Sequence, residues 1–223
     1  MSTPLNNDDV VDRGDFMDTD NAYEVEELSE PLERYSEGRY YPICIGEILV
    51  NQYRVEHKLG HGGFSTVWMA YDMVEKRDVA LKIMSPKPPD KDEYTRQKEI
   101  IKAVKDNSHL LLFQDTFRLP GCIDIHRVLV LPLQGPNLRD YRFQAPDPAN
   151  PRPVRPMSTQ MSTARQLLQA IRNLHEGGIV HTDISTANIL YSLKPFEDNS
   201  VAAKYRRIGR PKKNPSGLYV ETI

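Results

Sequence analysis

Three short runs rich in β-branched and aromatic residues follow one another directly, and they restrict the possible folds more than any other feature. They read YRVEHKLG from Tyr53, FSTVWMAYD from Phe64 and RDVALKIM from Arg77, with glycine, aspartate and charged residues between them. Runs of this length bounded by turn residues are typical of antiparallel strands joined by short connections. They predict a sheet whose strands pair in chain order.

One helix and two further strands are predicted after these runs. EYTRQKEIIKAVKDN (93–107) has the period of an amphipathic helix, with an apolar face made of Ile100, Ile101 and Val104. SHLLLFQDTFRLPG (108–121) and IHRVLVLPLQG (125–135) have the composition of strands. The sequence therefore predicts five strands with one helix inserted after the third.

A second helix is predicted after a proline-rich stretch. Residues 142–158 contain many prolines without periodicity, which is typical of a surface loop. Ser162 is a candidate N-cap, and Gly177 with Gly178 is a typical helix end. The apolar stripe between them consists of Leu167, Leu168, Ile171 and Leu174. IVHTDISTANILYSL is predicted to form two short extended pieces around a loop, followed by a polar and basic segment, 192–223.

The composition excludes several classes of protein. Only Cys44 and Cys122 are present, which does not indicate a disulfide framework and does not support a zinc site. Apolar runs stay shorter than the roughly 18 residues that span a bilayer, and the first residues lack the pattern of a secretion signal. Residues 1–33 carry eleven acidic residues against Arg13 alone, so we expect a disordered leader. The prediction is a soluble cytoplasmic or nuclear protein without a membrane partner.

Gly60 and Gly62, in LGHGGFSTVWMAYD, are the first candidate site residues. Glycines in the turn between two strands allow a backbone to approach a phosphate without side chains intervening. The alternative is an ordinary tight hairpin. A dinucleotide-binding turn is disfavoured, because a strand follows the glycines where that motif requires a helix.

Lys82 is the second candidate, because its strand neighbours are apolar. A lysine in such surroundings requires an anionic partner. Glu99 on the following predicted helix is the preferred partner, since it lies next to the apolar stripe, and Glu93 is the alternative. The other interpretation is a lysine that reaches water from the edge of the strand.

Asp183 and Asn188, in HTDISTANIL (181–190), form the third candidate group. A carboxylate can orient an attacking hydroxyl and accept its proton, and an amide oxygen five residues later can ligate Mg²⁺. The alternative for such residues is a capped turn without catalytic function.

Taken together, the glycine hairpin, the strand lysine, the helix glutamate and the Asp/Asn loop occur in the order found in protein kinases. The segment RYSEGRYYPICIGEILVNQYRVEHKLGHGGFSTVWMAYD resembles the corresponding region of the SR-protein kinases, with a fungal character. HTD in place of the commoner HRD is also similar to that family. The resemblance covers about 34–140 and 158–191.

This resemblance implies the role of each candidate residue. The nucleotide would be covered by Leu59, Gly60, Gly62 and Val67, and its adenine would contact Ala80, Leu131, Leu133 and the backbone of 132–134. Lys82 would hold the phosphates and pair with Glu99. Asp183 would be the catalytic base and Asn188 a metal ligand, with ATP and Mg²⁺ as cofactors.

Three departures from the kinase pattern bear on activity. Ser65 stands at the third glycine position, where the SR-protein kinases also favour serine. Ser185 stands where serine/threonine kinases place a lysine, which removes a positive charge from the site of phosphoryl transfer. After Asn188 no segment reads as DFG, and Glu197 and Asp198 are weak substitutes for its metal-binding aspartate.

The basic run KYRRIGRPKKNP (204–215) has two interpretations. It resembles a minor-groove or nuclear-address motif, but in a kinase it is better explained as a surface insertion after the catalytic loop. We therefore do not expect a nucleic-acid partner.

The resulting prediction is an α+β protein-kinase-like fold. It consists of a disordered leader (1–33), a five-stranded antiparallel small lobe with one helix and a hinge (34–134), an incomplete, mainly helical large lobe (135–191) and a polar tail or insertion (192–223). The predicted activity is transfer of the ATP γ-phosphoryl group to Ser or Thr of Arg/Ser-rich splicing-type proteins, weak or absent in a fragment. The alternative is a non-catalytic pseudokinase or interaction module. Lys82 and Asp183 are predicted to act on the same triphosphate.

Overall fold

A computed structural model of the 223-residue chain describes part of the sequence. The described residues are 15–16, 30–86, 93–139, 156–193, 196, 200–213 and 219–220. Most of the predicted acidic leader and most of the proline-rich loop, together with Glu197 and Asp198, lie outside these residues.

The chain divides into two compact units. The first comprises Met1–Pro88, Gln114–Leu133 and Lys194–Ile223, and the second comprises Pro89–Phe113 and Gln134–Leu193. Their elements, in chain order, are β1 (Asp15–Phe16), α1 (Glu33–Ser36), β2 (Ile48–Leu49), β3 (Tyr53–Gly62), β4 (Ser65–Asp72), β5 (Arg77–Met84), α2 (Glu93–Ala103), β6 (Asp115–Pro120), β7 (Ile125–Pro132), β8 (Gln134–Asn137), α3 (Met157–Glu176), a 3₁₀ turn (Thr186–Asn188), β9 (Leu190–Ser192), α4 (Val201–Ile208), β10 (Lys212–Lys213) and β11 (Tyr219–Val220).

The first unit is built on an antiparallel sheet of six strands in the order β2-β3-β4-β5-β7-β6. The kinase-like fold class and the five predicted strands are confirmed, and β2 is an additional short strand at the edge. The strand predicted over 108–121 is shorter, because pairing with β7 begins only at Asp115.

One face of this sheet forms the hydrophobic core of the first unit. Alternate residues of each strand point to that face, since side chains along a strand alternate. Trp68, Leu81 and Val130 are directly paired across three adjacent strands and are at most 2% exposed. Tyr53 stacks on Phe117 at the same core, and burial beside Asp115 raises the pKa of Tyr53 to about 12.

The second unit contains α2, α3 and a two-stranded sheet of β8 and β9. The predicted inward face of α2 is partly wrong, because Ile101 is 43% exposed and Gln97 is the buried residue of the helix. The Gln97 amide oxygen accepts a hydrogen bond from the backbone N–H of Phe113 at 2.7 Å, so a polar group holds this face in place.

The helix α3 begins earlier than predicted and ends where predicted. Its N-cap is Pro156, and Ser162 lies inside the helix. Proline is well suited to the start of a helix. The predicted apolar stripe begins only at Leu167, so it does not reveal this earlier start. At the other end, Gly178 adopts φ 73°, its N–H bonds the His175 carbonyl, and the Ile179 N–H bonds the Leu174 carbonyl. This pattern is a Schellman ending, which the two glycines indicated.

A short helix, α4, lies in the segment predicted to be a polar tail, and it packs on the sheet of the first unit. Its N-cap Ser200 accepts a hydrogen bond from the Ala203 N–H at 3.3 Å. Lys204 and Tyr205 of this helix are buried, and the Tyr205 hydroxyl donates to the Glu56 carbonyl on β3 at 2.9 Å. Among the described residues, no helix is both long and apolar enough to cross a membrane.

Candidate functional site

The predicted glycine loop is a hairpin between β3 and β4. Gly62 pairs with Ser65, which leaves Gly63 and Phe64 as the turn. Neither Gly62 nor Gly63 has a positive φ, and a Cβ atom added to either would meet nothing within 4 Å. Neither backbone conformation nor packing therefore requires glycine here. Without side chains, these two positions leave the backbone accessible to a closely approaching ligand.

Three of the predicted nucleotide-binding residues lie in one row across the sheet. Gly60 pairs with Val67, and Val67 pairs with Lys82, so the three residues occupy adjacent strands at the same level. Directly paired residues point to the same face of a sheet. The row lies on the face opposite Trp68 and Leu81 of the hydrophobic core.

Two of the predicted adenine contacts, Ala80 and Leu131, lie on the same face as this row. Ala80 is two residues from Lys82 on β5 and pairs with Leu131 on β7. Ala80 is 7% exposed and Leu131 is 6% exposed. Leu59 lies at a bulge of β3, and Leu133 follows the end of β7, both half-buried. The pairing therefore extends the row into a continuous apolar surface next to the lysine.

Lys82 is half-buried between fully buried neighbours, as the sequence predicted. Leu81 is 0% exposed and Ile83 is 2% exposed. Its aliphatic stem therefore lies along apolar surface, and only the ammonium end needs polar surroundings.

The two candidate glutamates differ in burial within the second unit. Glu93 is half-buried and accepts a hydrogen bond from the Gln97 amide at 3.0 Å, whereas Glu99 is exposed. Burial therefore gives no support to the preference for Glu99 over Glu93. The assignment of Glu99 as the partner of Lys82 stays a prediction.

Asp183 and Asn188 are brought together by the loop before β9. The Asn188 amide nitrogen donates to the Asp183 backbone carbonyl at 3.0 Å and to its carboxylate at 2.9 Å. The Asn188 N–H also bonds the Ser185 carbonyl at 3.0 Å, and the Asp183 N–H faces Nδ1 of His181 at 3.3 Å. These contacts orient the Asp183 carboxylate in an otherwise exposed loop.

The same contacts limit what this loop can offer to a cation. Because the Asn188 amide nitrogen donates to Asp183, its amide oxygen is the atom left to bind a metal. An amide oxygen and a carboxylate suit Mg²⁺ chemically. However, the described residues contain no group of three or more His, Cys, Asp or Glu side chains arranged to hold a metal ion. Within the described part of the chain, Asp183 and Asn188 are therefore the two candidate ligands of this loop.

Two residues near the glycine loop were not singled out from the sequence. The Tyr40 hydroxyl and the Arg34 guanidinium donate to the Gly62 and Gly63 carbonyls. Both belong to the segment RYSEGRYY, whose signal in the sequence is its family resemblance. A tyrosine and an arginine on a short irregular segment carry no periodic signal, so their contacts could not be read locally.

Comparison with known proteins identifies the family. The family model described as "Protein kinase domain" matches residues 53–200, which is more than half of the chain. A solved kinase domain shares the fold with a TM-score of 0.54 at 22% identity, covering 71% of this chain and 45% of that structure.

The curated relatives point to one branch of the family. Human SRSF protein kinase 3 is 32% identical over 208 residues, covering 88% of this chain and 35% of that protein. Protein kinase dsk1 of Schizosaccharomyces pombe is 34% identical over 174 residues, covering 72% of this chain and 30% of that protein. This chain thus spans about a third of the length of these relatives. The chain belongs to the protein kinase family, and it is an SR-protein-kinase-like member of it.

Proposed function

We propose that this chain binds ATP on the sheet face that carries Gly60, Val67 and Lys82, as part of a serine/threonine protein kinase. The observation that carries this proposal is the register row itself. It places a glycine of the hairpin strand, an apolar residue and a lysine on adjacent strands, on the face away from the core. A triphosphate needs a close backbone approach and a cation, and an adenine needs apolar surface.

The nucleotide would interact with three kinds of group on this face. The backbone N–H groups of the hairpin turn would donate to phosphate oxygens, and the ammonium of Lys82 would offset phosphate charge. Ala80 and Leu131 would contact the adenine, because both present apolar surface beside the lysine. Glu99 is proposed to hold the ammonium.

Phosphoryl transfer would use the Asp183 loop. The hydroxyl oxygen of a Ser or Thr substrate forms a bond to the γ-phosphorus, and the bond between that phosphorus and the β,γ-bridging oxygen breaks. The hydroxyl proton passes to the Asp183 carboxylate, which the Asn188 amide orients. A divalent cation, Mg²⁺ in this proposal, would neutralise phosphate charge when bound, with the Asn188 amide oxygen as one ligand.

The proposed substrates are Arg/Ser-rich segments of splicing-type proteins. This substrate class rests on the names of the SRSF protein kinases among the relatives and on the resemblance of the segment from Arg34 to Asp72. We accordingly propose a cytoplasmic or nuclear location, with neither membrane nor nucleic acid as a partner.

The second candidate is a non-catalytic interaction module. It is favoured by Ser185 in the position where serine/threonine kinases usually have a lysine. A chain of this kind could retain nucleotide binding, or only a protein partner, without phosphoryl transfer.

The decisive experiment measures nucleotide binding and transfer separately. The melting temperature of the full chain is recorded with and without Mg·ATP, for the wild type, Lys82→Met and Lys105→Met. Lys105 is an exposed lysine of the second unit and serves as the matched control. We expect an increase for the wild type and the control, and no increase for Lys82→Met, because a ligand that binds only the folded state stabilises it.

Transfer is then tested with γ-labelled ATP and an Arg/Ser-repeat peptide. Label incorporation that disappears in Asp183→Asn supports the kinase. A melting shift without incorporation supports the interaction module, and the absence of any shift in the wild type rejects ATP binding.

A further inference from the structure

The turn of the glycine hairpin is held from one side by the segment that precedes the sheet. We call residues 30–40 the N-terminal strap. The Tyr40 hydroxyl donates to the Gly62 carbonyl at 2.5 Å, and Nη1 of Arg34 donates to the Gly63 carbonyl at 2.5 Å. Nη1 of Arg34 also donates to the Tyr40 hydroxyl at 3.0 Å, so the two side chains act as one unit.

The next carbonyl along the turn is held as well. The backbone N–H of Ser85, just after β5, donates to the Phe64 carbonyl at 2.8 Å. The Ser85 hydroxyl donates to the Arg39 carbonyl at 2.8 Å, which ties the strap to the same point. Three successive carbonyls of the turn therefore have donors outside the hairpin.

The strap itself is firmly anchored to the sheet. Glu30 forms an ion pair with Lys58 of β3, and each side chain is 1% exposed. The Tyr35 hydroxyl donates to the Glu30 carboxylate, and Tyr40 is 2% exposed. The backbone N–H of Tyr40 bonds the Arg34 carbonyl at 3.0 Å, which folds the strap back on itself. The strap is therefore anchored at both ends, by buried Glu30 and buried Tyr40.

Holding these carbonyls determines where the neighbouring N–H groups point. In a planar trans peptide the C=O and the following N–H point in opposite directions. Donors on the Gly62 and Gly63 carbonyls therefore direct the N–H groups of Gly63 and Phe64 away from the strap. If these peptide planes rotated freely, binding an anion would cost the conformational entropy of fixing them. Carbonyls that are already held reduce this entropy cost.

We infer that Arg34 and Tyr40 are positioning residues that pre-orient the glycine-turn N–H groups for the phosphates of a nucleotide. This inference rests on the proposed ATP binding. The strap would therefore affect the affinity for phosphate groups. It would not affect the adenine contact, because Ala80 and Leu131 lie on β5 and β7, away from the glycine turn.

The test compares ADP with adenosine, which lacks phosphates. Affinities for both are measured by calorimetry with magnesium present, on the full chain, for the wild type, Tyr40→Phe, Arg34→Gln and Tyr41→Phe. Tyr41→Phe removes the hydroxyl of the neighbouring tyrosine, whose ring packs against His126. Melting temperatures confirm that each variant is folded.

We expect ADP binding to weaken about threefold to tenfold in Tyr40→Phe and in Arg34→Gln, because each variant loses its hydrogen bond to a turn carbonyl. Adenosine affinity should change by less than about twofold, and Tyr41→Phe should match the wild type for both ligands. Unchanged ADP affinity in both strap variants overturns the inference, and so does an equal loss for adenosine. If the wild type binds ADP no more tightly than adenosine, the proposed ATP site fails together with the inference.

Discussion

The ammonium of Lys204 on α4 lies between two carboxylates of the sheet, 2.6 Å from Glu56 and 2.5 Å from Asp78. The Lys204 side chain is 0% exposed, and its ammonium also lies 4.7 Å from the centre of the Tyr71 ring. Burial raises the pKa of Asp78, and the neighbouring ammonium acts in the opposite direction. Asp78 precedes Ala80 by two residues on β5, so α4 packs on the face that carries the proposed adenine contact.

Replacing Lys204 with methionine should destabilise the first unit strongly. The substitution leaves Asp78 without the Lys204 ammonium and leaves Glu56 with Arg54 as its remaining cation. Breaking a buried ion pair from one side typically costs about 3–5 kcal/mol. Urea denaturation measures the free energy of unfolding. Arg206→Met, on an exposed position of the same helix, should change it by less than about 0.5 kcal/mol. Equal effects of the two substitutions would contradict the buried role of Lys204.

Acidification should weaken the packing of α4 through His57. Its imidazole is 1% exposed, stacks edge-on against Tyr205 and faces the Gly209 carbonyl at 3.2 Å. Burial lowers the pKa of His57 below its ordinary value of 6.5. The folded state therefore favours the neutral imidazole of His57. The stability that the neutral ring contributes is fully present above pH 6.5, and it is lost as the pH falls through the lowered pKa of His57.

The measurement is the free energy of unfolding at pH 7.5 and pH 5.5, for the wild type and His57→Gln. We expect a smaller loss of stability on acidification in the variant. Some loss remains, because burial also lowers the pKa of His126. Asp78, whose raised pKa acts in the opposite direction, is retained in both proteins. Identical pH dependence in the two proteins would refute the role of His57.

An acyl-phosphate derivative of ATP should label Lys82. The lysine amine attacks the acyl carbonyl, an amide forms and ATP leaves, so the reaction reports a lysine close to bound phosphates. Tryptic mapping should show modification of Lys82 that an excess of ATP suppresses. Modification of the exposed Lys105 should not respond to ATP. ATP-insensitive labelling of Lys82 would count against the proposed phosphate contact.

Introducing the usual kinase lysine at Ser185 should increase phosphoryl transfer. An added cation at the site of developing charge is worth on the order of 10²- to 10³-fold in rate. The assay is transfer from γ-labelled ATP to an Arg/Ser-repeat peptide. Thr186→Lys places the same charge one position later and is the matched control. Equal rates for the two variants would argue against a phosphoryl-contacting role at position 185.

Local sequence was sufficient for the elements whose signals are local. The main strands, the glycine hairpin and the glycine ending of α3 follow from β-branched composition, turn residues and helix-stop chemistry over a few neighbouring positions. It was misleading where a weaker local signal competed with tertiary packing. Ser162 resembles an N-cap but lies inside α3, and Ile101 is apolar but remains 43% exposed.

The amino-acid sequence specifies which residue types are available for nucleotide chemistry and in what order they occur along the chain. Folding of the sheet sets the strand register that brings Gly60, Val67 and Lys82 into one row. Folding also buries Lys204 against Glu56, 148 positions earlier in the chain. Contacts between residues so far apart in sequence depend on which buried polar groups can form hydrogen bonds or ion pairs with each other once water is excluded. A local pattern of residues does not encode that pairing.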